Sequence, residues 1–433
     1  MTTPMSTLEL FLQGQWQPVA TLEILAGIER GTEAETRVAY LIEHVLGAQG
    51  RRDAAALSAT FPVSLEFTRL HTWPAFAVDL LPQGYGRQEL ARRLNIPAST
   101  RHSDWELLMA GAGNPIGNLR VSEAFSYIRE HATAASRGFT RDEILSRSDT
   151  FMEYLATEGY FISGSSGVQG EWPKILLTQD RAGYWHLDHL LPDQDAASHW
   201  IVKFARGDNP IFRTILAVEA TYYAVASELG LRVGKPLIHE NGVLFIPRFD
   251  RSVTHGGVDR FGQESLYSLT GRAGFEVALT HNQAISAMAK HCTDPVSDIT
   301  EYVLRDALNI ALGNKDNHGR NTAFQRFDNG RIALAPLFDF APMFLHPEGI
   351  ARRTRWERDD AGQPNWRSVA EQAASAGNIS ADALRQRMGD FAESVARLPT
   401  LLLEYDMPAE IADRLRPGID TTARGLENAA QNG

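Results

Sequence analysis

Cysteine is nearly absent from this sequence of 433 residues, in which Cys292 is the only one. A single cysteine cannot form an intramolecular disulfide, and a cysteine-rich metal site is not possible. Long apolar runs are also lacking, since no stretch of about 18 residues is both strongly apolar and free of charge. The start, MTTPMSTLELFLQGQ, lacks a basic segment followed by an apolar core, so no secretory signal is visible. These absences predict a soluble, cytoplasmic protein without a membrane segment.

Positive charge is in deficit as well. Lysine and arginine number 42 against 53 aspartates and glutamates, which gives a formal net charge of -11. This balance argues against a diffuse nucleic-acid-binding surface, although a local basic patch is compatible with it. Hydrophobic residues make up 43% and charged residues 22%, as in ordinary globular proteins. The chain is therefore expected to bury a sizeable core in two or three domains.

Residues 1–135 are predicted to form a first domain of the α+β type. Two alternating apolar runs within residues 8–22 flank Gln13-Gly14-Gln15, which predicts a β-hairpin. Residues 34–48 are predicted to be helical. Farther on, the turn-rich stretch GAGNPIGN leads into a strand.

Residues 136–250 form the second predicted part. Three short strands are expected, at residues 175–178, 184–188 and 200–205. Asn209 and Pro210 then start a helix, because asparagine is a good N-cap residue and proline suits the first helical position. The triplet Glu240-Asn241-Gly242 marks a hairpin turn.

Residues 251–433 are predicted to be mostly helical. One helix is expected over residues 298–312, because Asp298 and Glu301 have the spacing of a capping box. A glycine follows and ends it. A polar loop then leads to a hairpin whose turn is at residues 328–330.

The polar loop carries the residues on which a functional prediction depends. It reads NKDNHGRN, with Asp316 and Asn321 five positions apart, and Asp339 follows the next hairpin. These parts fit phosphoryl transfer from ATP, which needs positioning and charge neutralisation more than covalent chemistry. Asp316 can orient the attacking hydroxyl, while Asn321 and Asp339 supply oxygen ligands of the kind that Mg²⁺ prefers. Protein kinases space their catalytic Asp and metal-binding Asn in the same way.

Upstream residues complete this predicted site, each with a simpler alternative. Lys203, in the strand WIVKFA, would supply a fixed positive charge for the α- and β-phosphates, or it is a solvated edge residue. The glycine-rich stretch 164–170 would let the backbone approach phosphate, or it is a flexible turn. Glu219, in the following helix, could pair with the lysine as in protein kinases, or it is exposed. His318 could contact phosphate, or it braces the catalytic loop.

Eight motifs are found along nearly the whole chain. They are LFLQGQWQPVATL, AFAVDLLPQGYGR, WELLMAGAGNPIGNLRV, SSGVQG, WIVKFA, IPRFDR, NKDNHGRN and LFDFAPM. Together they resemble the HipA family of bacterial serine/threonine kinases, the toxins of type II toxin–antitoxin systems. The family's N-x-D-x-H-x-K-N loop is matched at every fixed position but one, where Arg320 replaces lysine. The predicted fold is α+β, with an N-terminal α/β domain followed by a two-lobed protein-kinase-like domain whose C-terminal lobe is mostly helical.

The resemblance implies roles for individual residues. Asp316 would be the catalytic carboxylate, and Asn321 and Asp339 would be the two Mg²⁺ ligands. Lys203 would contact the ATP phosphates. The IPRFDR stretch, residues 246–251, would be the hinge segment, in which the Pro247 carbonyl and the Phe249 N–H read adenine. Gln263 would belong to the same nucleotide site, although its surroundings, FGQES, depart from the family's H-Q-E-D.

The glycine-rich loop is implied to cover the phosphates. Its candidate nucleotide-binding residues are Gly164, Ser165, Ser166, Gly167, Val168 and Gln169. Family members often phosphorylate a serine of this loop, which ejects the loop and inactivates the kinase. Glycine occupies the first serine position of the motif here, so this switch is either lost or moved to Ser166, Ser165 or Ser163. A phosphate there would compete with ATP phosphates for the same backbone donors.

The resemblance also implies partners. A small helix-turn-helix antitoxin, HipB-like, would bind the chain, and any contact with DNA would be indirect through it. In the best-known members the protein substrate is an aminoacyl-tRNA synthetase, so that phosphorylation stalls translation. The most basic stretch, residues 352–358, would dock substrate, antitoxin or tRNA, or it is a solvated face.

Other functions stay open at this point. Related folds phosphorylate small molecules, so a small-molecule kinase is one alternative. A pseudokinase that acts only as an antitoxin-bound corepressor is another, although it would not need Lys203, Asp316, Asn321 and Asp339 together. A metal-dependent nuclease is more distant, because its carboxylates would have to cluster differently.

Overall fold

The computed structural model describes residues 3–132, 137–158, 172–205, 207, 209–274 and 277–431. The predicted glycine-rich loop, residues 164–169, and the candidate phosphorylation sites Ser163, Ser165 and Ser166 lie outside these ranges. Within them, no helix is long and apolar enough to cross a membrane.

The described part of the chain forms fifteen β-strands and fifteen α-helices, numbered here in chain order. The strands are β1 (Met5–Leu12), β2 (Gln15–Ala26), β3 (Glu35–Tyr40), β4 (Thr68–Leu70), β5 (Leu119–Val121), β6 (Lys174–Asp180), β7 (Trp185–Leu187), β8 (Ala196–Phe204), β9 (Ile238–Glu240), β10 (Val243–Pro247), β11 (Arg251–Thr254), β12 (Gly257–Arg260), β13 (Gly262–Ser265), β14 (Ala323–Arg326) and β15 (Ile332–Leu334). The α-helices are α1 (Ile42–Ala48), α2 (Ala75–Asp79), α3 (Gly84–Leu94), α4 (Asp104–Gly111), α5 (Ser122–His131), α6 (Arg141–Leu145), α7 (Asp149–Glu158), α8 (Pro210–Glu228), α9 (Leu266–Leu269), α10 (His281–His291), α11 (Pro295–Ala311), α12 (Trp366–Gly377), α13 (Ala381–Ala396), α14 (Leu398–Glu404) and α15 (Ala409–Ala430). Short 3-10 helices lie at Ile28–Glu33, Arg101–Ser103, Asp193–Asp195 and Met343–Leu345.

The chain divides into two compact units. Unit 1 comprises Met1–Arg206, Glu240–Val277 and Gln325–Arg331, and unit 2 comprises Gly207–His239, Ala278–Phe324 and Ile332–Gly433. The division into domains at residues 135 and 250 stays a prediction.

The first sheet of unit 1 has the strand order β4-β3-β2-β1-β5, with antiparallel pairing. Gln13 and Gly14 have φ values of 53° and 79° and form the turn of the predicted β1–β2 hairpin. Such two-residue turns match the twist of antiparallel strands. The prediction of a helix over residues 34–48 is wrong in its first half. There β3 buries every second residue from Thr36 to Tyr40, which is the period of a strand.

The second sheet of unit 1 has the order β7-β6-β8-β10, again antiparallel. The three strands predicted for this part correspond to β6, β7 and β8 and are confirmed. β9 and β10 form the predicted hairpin, in which Asn241 and Gly242 have φ values of 49° and 75°. Phe139 and Phe151 pack against this sheet and close its core. β8 lies between β6 and β10, so hydrogen bonds to a strand on each side fix the backbone that carries its side chains.

Unit 2 consists mainly of helices. α8 begins as predicted, because the side chain of Asn209 accepts a hydrogen bond from the N–H of Ile211 at 3.1 Å and Pro210 follows as the first helical residue. The hydroxyl of Tyr222 donates to the carbonyl of Leu312 at 2.5 Å, which joins α8 to the end of α11.

α11 begins at Pro295, before the predicted start, because Asp294 is its N-cap. The capping-box prediction for Asp298 and Glu301 is therefore wrong. Both side chains are buried and pair with Arg232. β14 and β15 form the hairpin that the sequence predicts after the polar loop.

Candidate active site

The polar loop after α11 is held at its start by side-chain amides. Gly313 has a φ of 64° and ends the helix as predicted. The Nδ2 of Asn314 donates to the Oδ1 of Asn309 at 2.8 Å, and the N–H of Asp316 donates to the Oδ1 of Asn314 at 3.3 Å. These bonds fix the backbone that carries Asp316.

Asp316, His318 and Asn321 lie together in this loop. The N–H of Arg320 donates to the Nδ1 of His318 at 3.2 Å, so a neutral ring carries its proton on Nε2. That Nε2 lies 3.4 Å from the Oδ1 of Asp316. Burial lowers the pKa of His318 although Asp316 opposes the shift, so the ring is neutral at neutral pH. The Nε2–H of the neutral ring therefore faces the Asp316 carboxylate, and an effect of His318 on catalysis stays a prediction. The Nδ2 of Asn321 donates to the Asp316 carbonyl at 2.8 Å.

A small polar cavity joins the predicted catalytic and metal-binding residues. Its volume is about 30 Å³, and Asp316, Asn321 and Asp339 are among its lining residues. A cavity of this size with polar walls can hold ordered water. Asp339 has a φ of 51°, a left-handed conformation that aspartate tolerates better than most residues. The structure thus brings these three residues together, and their catalytic roles stay predictions.

Glu219 is buried in α8 with 2% of its surface exposed, so the alternative of an exposed helix residue is wrong. Tyr223 follows one turn later and is 4% exposed. Burial raises the pKa of Tyr223, and the negative charges of Glu219 and Asp339 raise it further. Both carboxylates therefore lie near one hydroxyl. The pairing of Glu219 with Lys203 stays a prediction.

Lys203 lies in β8, between β6 and β10, and is 4% exposed, so it is not a solvated edge residue. Its cross-strand neighbour in β6 is Lys174, which is also buried. Directly opposed residues of antiparallel strands have their side chains on the same face. Two ammonium groups on one face favour an anion there. The sequence does not indicate Lys174, because its register opposite Lys203 appears only when the strands are paired.

The residues predicted to read adenine also belong to unit 1. Pro247 ends β10 opposite Trp200 of β8, and the Nε2 of Gln325 donates to the carbonyl of Phe249 at 2.9 Å. The Oε1 of Gln263 is buried and has no hydrogen-bond partner in the described part of the chain. An amide oxygen of this kind is suited to a donor from a ligand.

A buried group of charged and aromatic residues lies beside the polar loop in unit 2. This loop cluster consists of His281, Asp306, Arg352, Trp356 and Asp360. The Nη2 of Arg352 donates to both oxygens of Asp306 at 2.6 and 2.8 Å, and its Nη1 donates to Asp360 at 3.2 Å. The Nε1 of Trp356 donates to Asp306 at 2.9 Å. Arg352 is 9% exposed and does not lie on a solvated face, whereas residues 353, 355, 357 and 358 of the same basic stretch are exposed, so docking by this stretch stays a prediction.

His281 is held neutral within the loop cluster. Its Nε2 lies 2.9 Å from the Nη2 of Arg352, and a guanidinium can only donate, so this nitrogen accepts. The proton is then on Nδ1, which lies 2.8 Å from the hydroxyl oxygen of Tyr302. Burial lowers the pKa of His281 to about 4, and the positive charge of Arg352 acts in the same direction.

Asn317 connects the polar loop to the segment that carries Arg352. Its Nδ2 donates to the carbonyl of Thr354 at 2.8 Å. Its Oδ1 accepts from the N–H groups of Arg353 at 2.9 Å and Thr354 at 3.3 Å. Because Asn317 directly follows Asp316, these bonds also restrain the predicted catalytic residue. Residues 352, 354 and 356 are buried in alternation, as in an extended, half-buried segment. The sequence signal for this segment is weak, because only Thr354 and Trp356 alternate with arginines.

Comparison with known proteins places these features in a family. A family model described as the HipA-like C-terminal domain matches residues 166–398. The chain belongs to the HipA-like family. The matched span contains Lys203, Asp316, Asn321 and Asp339.

Individual known proteins are also similar to this HipA-like chain. It is 25% identical over 381 residues to the Sinorhizobium fredii protein named "Putative kinase Y4mE", which covers 80% of this chain and 83% of the relative. It is similar to HipA of the Shewanella oneidensis MR-1 toxin–antitoxin system, solved with HipB and operator DNA, with a TM-score of 0.65 and 18% identity over 98% of this chain and 97% of that chain. The Helicobacter pylori proinflammatory kinase CtkA matches with a TM-score of 0.32 and 16% identity, over 53% of this chain and 88% of that chain. The Shewanella likeness confirms the predicted fold class.

Proposed function

We propose that this HipA-family chain is an ATP- and Mg²⁺-dependent protein serine/threonine kinase that acts as a growth-inhibiting toxin. The observation that carries the proposal is Asp316, 3.4 Å from His318, on the same cavity as Asn321 and Asp339. In the proposed reaction the oxygen of a serine or threonine hydroxyl bonds to the γ-phosphorus, while the bond from that phosphorus to the β–γ bridging oxygen breaks. ADP leaves with the bridging oxygen, and the hydroxyl proton passes to Asp316.

The side chains at the cavity fit Mg²⁺. Asn321 uses its Nδ2 to hold the Asp316 carbonyl, which leaves its Oδ1 as a ligand beside the carboxylate of Asp339. Mg²⁺ is commonly held by one or two carboxylates together with phosphate oxygens and water. No group of three or more His, Cys, Asp or Glu suited to a metal occurs among the residues that the structure describes. We therefore expect the ion to bind together with the nucleotide, where it would neutralise charge on the β- and γ-phosphates.

The predicted nucleotide-binding side chains have groups suited to a nucleotide. The Oε1 of Gln263 is buried and without a partner among the described residues, so it can accept from the nucleotide. Lys203 and Lys174 place positive charge on one sheet face, where phosphates would be neutralised. The adenine contacts of Pro247 and Phe249, and phosphate contacts by residues 164–169, complete the proposed nucleotide site.

The first experiment measures phosphate transfer from radiolabelled Mg-ATP to the proteins of a cell lysate. Asp316→Asn should lower the rate by about 10²–10⁴-fold, because the amide keeps the shape but cannot take a proton. ATP binding should persist. Asp328→Asn, in the exposed turn between β14 and β15, is the matched control and should be as active as the wild type. Equal rates for Asp316→Asn and the wild type would contradict the proposal, and ATP binding without transfer by either would indicate a pseudokinase.

We expect the substrate to be a component of translation, such as an aminoacyl-tRNA synthetase, on the strength of the family resemblance. Phosphopeptide mass spectrometry of the labelled lysate identifies the acceptor and its residue type. Label in a low-mass fraction instead would indicate a small-molecule kinase. The same measurement on the purified chain tests whether the switch has moved to Ser163, Ser165 or Ser166 or is lost. A moved switch gives phosphate there in the wild type and not in Asp316→Asn.

A HipB-like helix-turn-helix antitoxin is the proposed partner. The support is the likeness to Shewanella oneidensis HipA, whose structure is a complex with HipB and operator DNA. Contact with DNA would then be indirect. Expression of the chain alone should stop growth, and co-expression of the protein encoded beside it should restore growth and give a complex. Asp316→Asn should form the complex without stopping growth, whereas growth arrest by this variant would contradict a kinase toxin and favour a corepressor.

A further inference from the structure

Four charged side chains are buried together at the hinge segment. They form the hinge cage, which consists of Asp188, Arg248, Asp250 and Arg251. Arg248 donates to Asp250 at 2.8 and 2.7 Å and to Asp188 at 3.1 Å. Arg251 lies 3.3 Å from each of the same two carboxylates, and none of the four side chains is more than 2% exposed. Because an unpaired charge is costly in the interior, the four groups hold one another in this arrangement.

The hinge cage is closed by the turn-rich stretch that precedes β5. The Nη2 atoms of Arg248 and Arg251 donate to the carbonyl of Pro115 at 3.0 and 3.1 Å. The N–H of Gly117 donates to the Oδ2 of Asp250 at 2.8 Å, which joins positions 133 residues apart. The stretch GAGNPIGN therefore contributes to the surroundings of the hinge segment.

Gly117 also lies against Gln263. Its φ is +93°, and a Cβ placed on it would lie 2.8 Å from the Cβ of Gln263, so only glycine allows this approach. The next residue, Glu264, accepts from the hydroxyl of Ser58 at 2.7 Å and from the N–H of Ala59 at 2.9 Å. Gln263 is thus held between two contacts with the N-terminal part of the chain.

We propose that Pro115, Gly117 and Asp250 are positioning residues for the nucleotide, which fix the backbone of residues 247–249 and the side chain of Gln263. The N-terminal part of the chain is then a component of the nucleotide site and not a separate module. This inference rests on the proposed function, because it takes ATP to bind at the hinge segment.

The reason is geometric. Phe249, whose N–H would read adenine, lies between Arg248 and Asp250, and both of these side chains are fixed in the cage. The N–H of Arg248 donates to the carbonyl of His199 at 2.9 Å, so the backbone on this side is fixed as well. The peptide groups at Phe249 cannot rotate unless the cage opens. A change at Gly117 should therefore reach the nucleotide through Asp250 and Gln263 without touching it.

The test compares Gly117→Ala with Gly183→Ala in the full chain. Gly183 has a φ of +91°, close to that of Gly117, but nothing lies within 4 Å of a Cβ placed there. Both variants carry the same backbone strain and should lower the unfolding temperature. Only Gly117→Ala should raise the Kd of Mg-adenylyl imidodiphosphate in calorimetric titration, by about tenfold. Equal Kd values for the two variants would overturn the inference.

Hydrogen exchange of the wild type keeps the inference testable if Gly117→Ala does not fold. The same nucleotide analogue should slow exchange at residues 248–250, which it would contact. It should also slow exchange at residues 116–118, which it would not contact. Protection of 248–250 alone would overturn the inference and leave the proposed function intact. If the analogue does not bind the wild-type chain, the proposed function and the inference fail together.

Discussion

The loop cluster and the hinge cage both bury charge beside predicted functional residues, but they balance that charge differently. In the hinge cage two arginines meet two aspartates. In the loop cluster a single guanidinium, that of Arg352, bonds both Asp306 and Asp360, and His281 beside them is neutral. The loop cluster therefore depends on one residue, whereas each aspartate of the cage has two arginine partners.

The pKa shifts follow from this difference. In the hinge cage, burial alone would raise the pKa of Asp188, but Arg251 and Arg248 outweigh it and hold the pKa well below its ordinary value. Burial and the neighbouring Arg248 lower the pKa of Arg251 to about 10, which still leaves it charged at neutral pH. All four side chains of the hinge cage therefore stay charged near neutral pH. Their ion pairs persist there and can hold the backbone of the hinge segment in place.

Arg352→Met should have the largest effect on stability, because it leaves two buried carboxylates, Asp306 and Asp360, without a guanidinium. Removal of one partner from a buried ion pair typically costs about 3–5 kcal/mol of unfolding free energy. Arg248→Met should cost less, since Arg251 still contacts both aspartates of the cage. Urea denaturation of the full chain measures both.

The matched control for this prediction is Arg358→Met. Arg358 is exposed, and its pair with Glu371 has a separation of 3.9 Å, so its loss should cost well under about 1 kcal/mol. If Arg248→Met proves more destabilising than Arg352→Met, the number of partners for each carboxylate does not decide the cost.

The second prediction concerns pH. The pKa of His281 is about 4 in the folded chain and 6.5 as an ordinary value, so the unfolded chain takes up the proton first as the pH falls. The stability that comes from the neutral ring is therefore present above about pH 6.5 and is lost toward pH 4. Between pH 7 and pH 5 the wild type should lose about 2 kcal/mol more unfolding free energy than His281→Gln. Urea denaturation at pH 7, 6 and 5 checks this.

His199, beside the hinge cage, provides a second histidine whose effect on the pH dependence of stability can be compared with that of His281. It lies 3.0 Å from Asp188. Burial lowers the pKa of His199, and its hydrogen bond to Asp188 opposes that shift. His199→Gln should therefore change the pH dependence in the same direction and by a smaller amount. If His281→Gln leaves the pH dependence of the unfolding free energy unchanged, protonation of His281 is not what destabilises the fold between pH 7 and pH 5.

Short-range signals in the sequence predicted much of the local structure. Asn241-Gly242 and Asn209-Pro210 gave a hairpin turn and a helix start that the structure confirms. The start of α11 has the same kind of signal in Asp294-Pro295, whereas the capping-box spacing farther on does not mark a helix start. That spacing belongs to residues that are instead buried as ion-pair partners, and the sequence near them does not contain the partner.

The candidate site divides in the same way. Asp316, Asn321 and Asp339 lie on either side of one hairpin, so their grouping on one cavity could be predicted from the motif. The loop cluster joins positions 46 and 71 residues apart, and the residues of the hinge cage lie up to 63 positions apart. Gly117, which bonds the cage, lies 133 positions from Asp250. From the sequence alone, such charged residues are expected on the solvated surface. They are buried here because the folded chain brings oppositely charged partners to them.

Asn317→Ala, which disconnects the polar loop from the loop cluster, should destabilise the fold less than Arg352→Met. The variant loses the hydrogen bonds to Arg353 and Thr354, and should cost about 1–2 kcal/mol. Because Asn317 is adjacent to Asp316, misplacement of the carboxylate should lower kcat by about tenfold and leave the KM for ATP unchanged. Steady-state kinetics on a protein acceptor measures both constants.

Two variants separate positioning from general weakening of the fold. Asn317→Asp keeps the two accepted bonds but sets a carboxylate oxygen against the Thr354 carbonyl, so it should recover only part of kcat. Asn329→Ala loses a similar bond, from the N–H of Arg331 in an exposed turn, and should leave kcat unchanged. A change in KM without a change in kcat would connect Asn317 to nucleotide binding, which is the role inferred for the hinge cage. The loop cluster and the hinge cage would then serve the same step, and their different charge balance would not reflect a division between catalysis and binding.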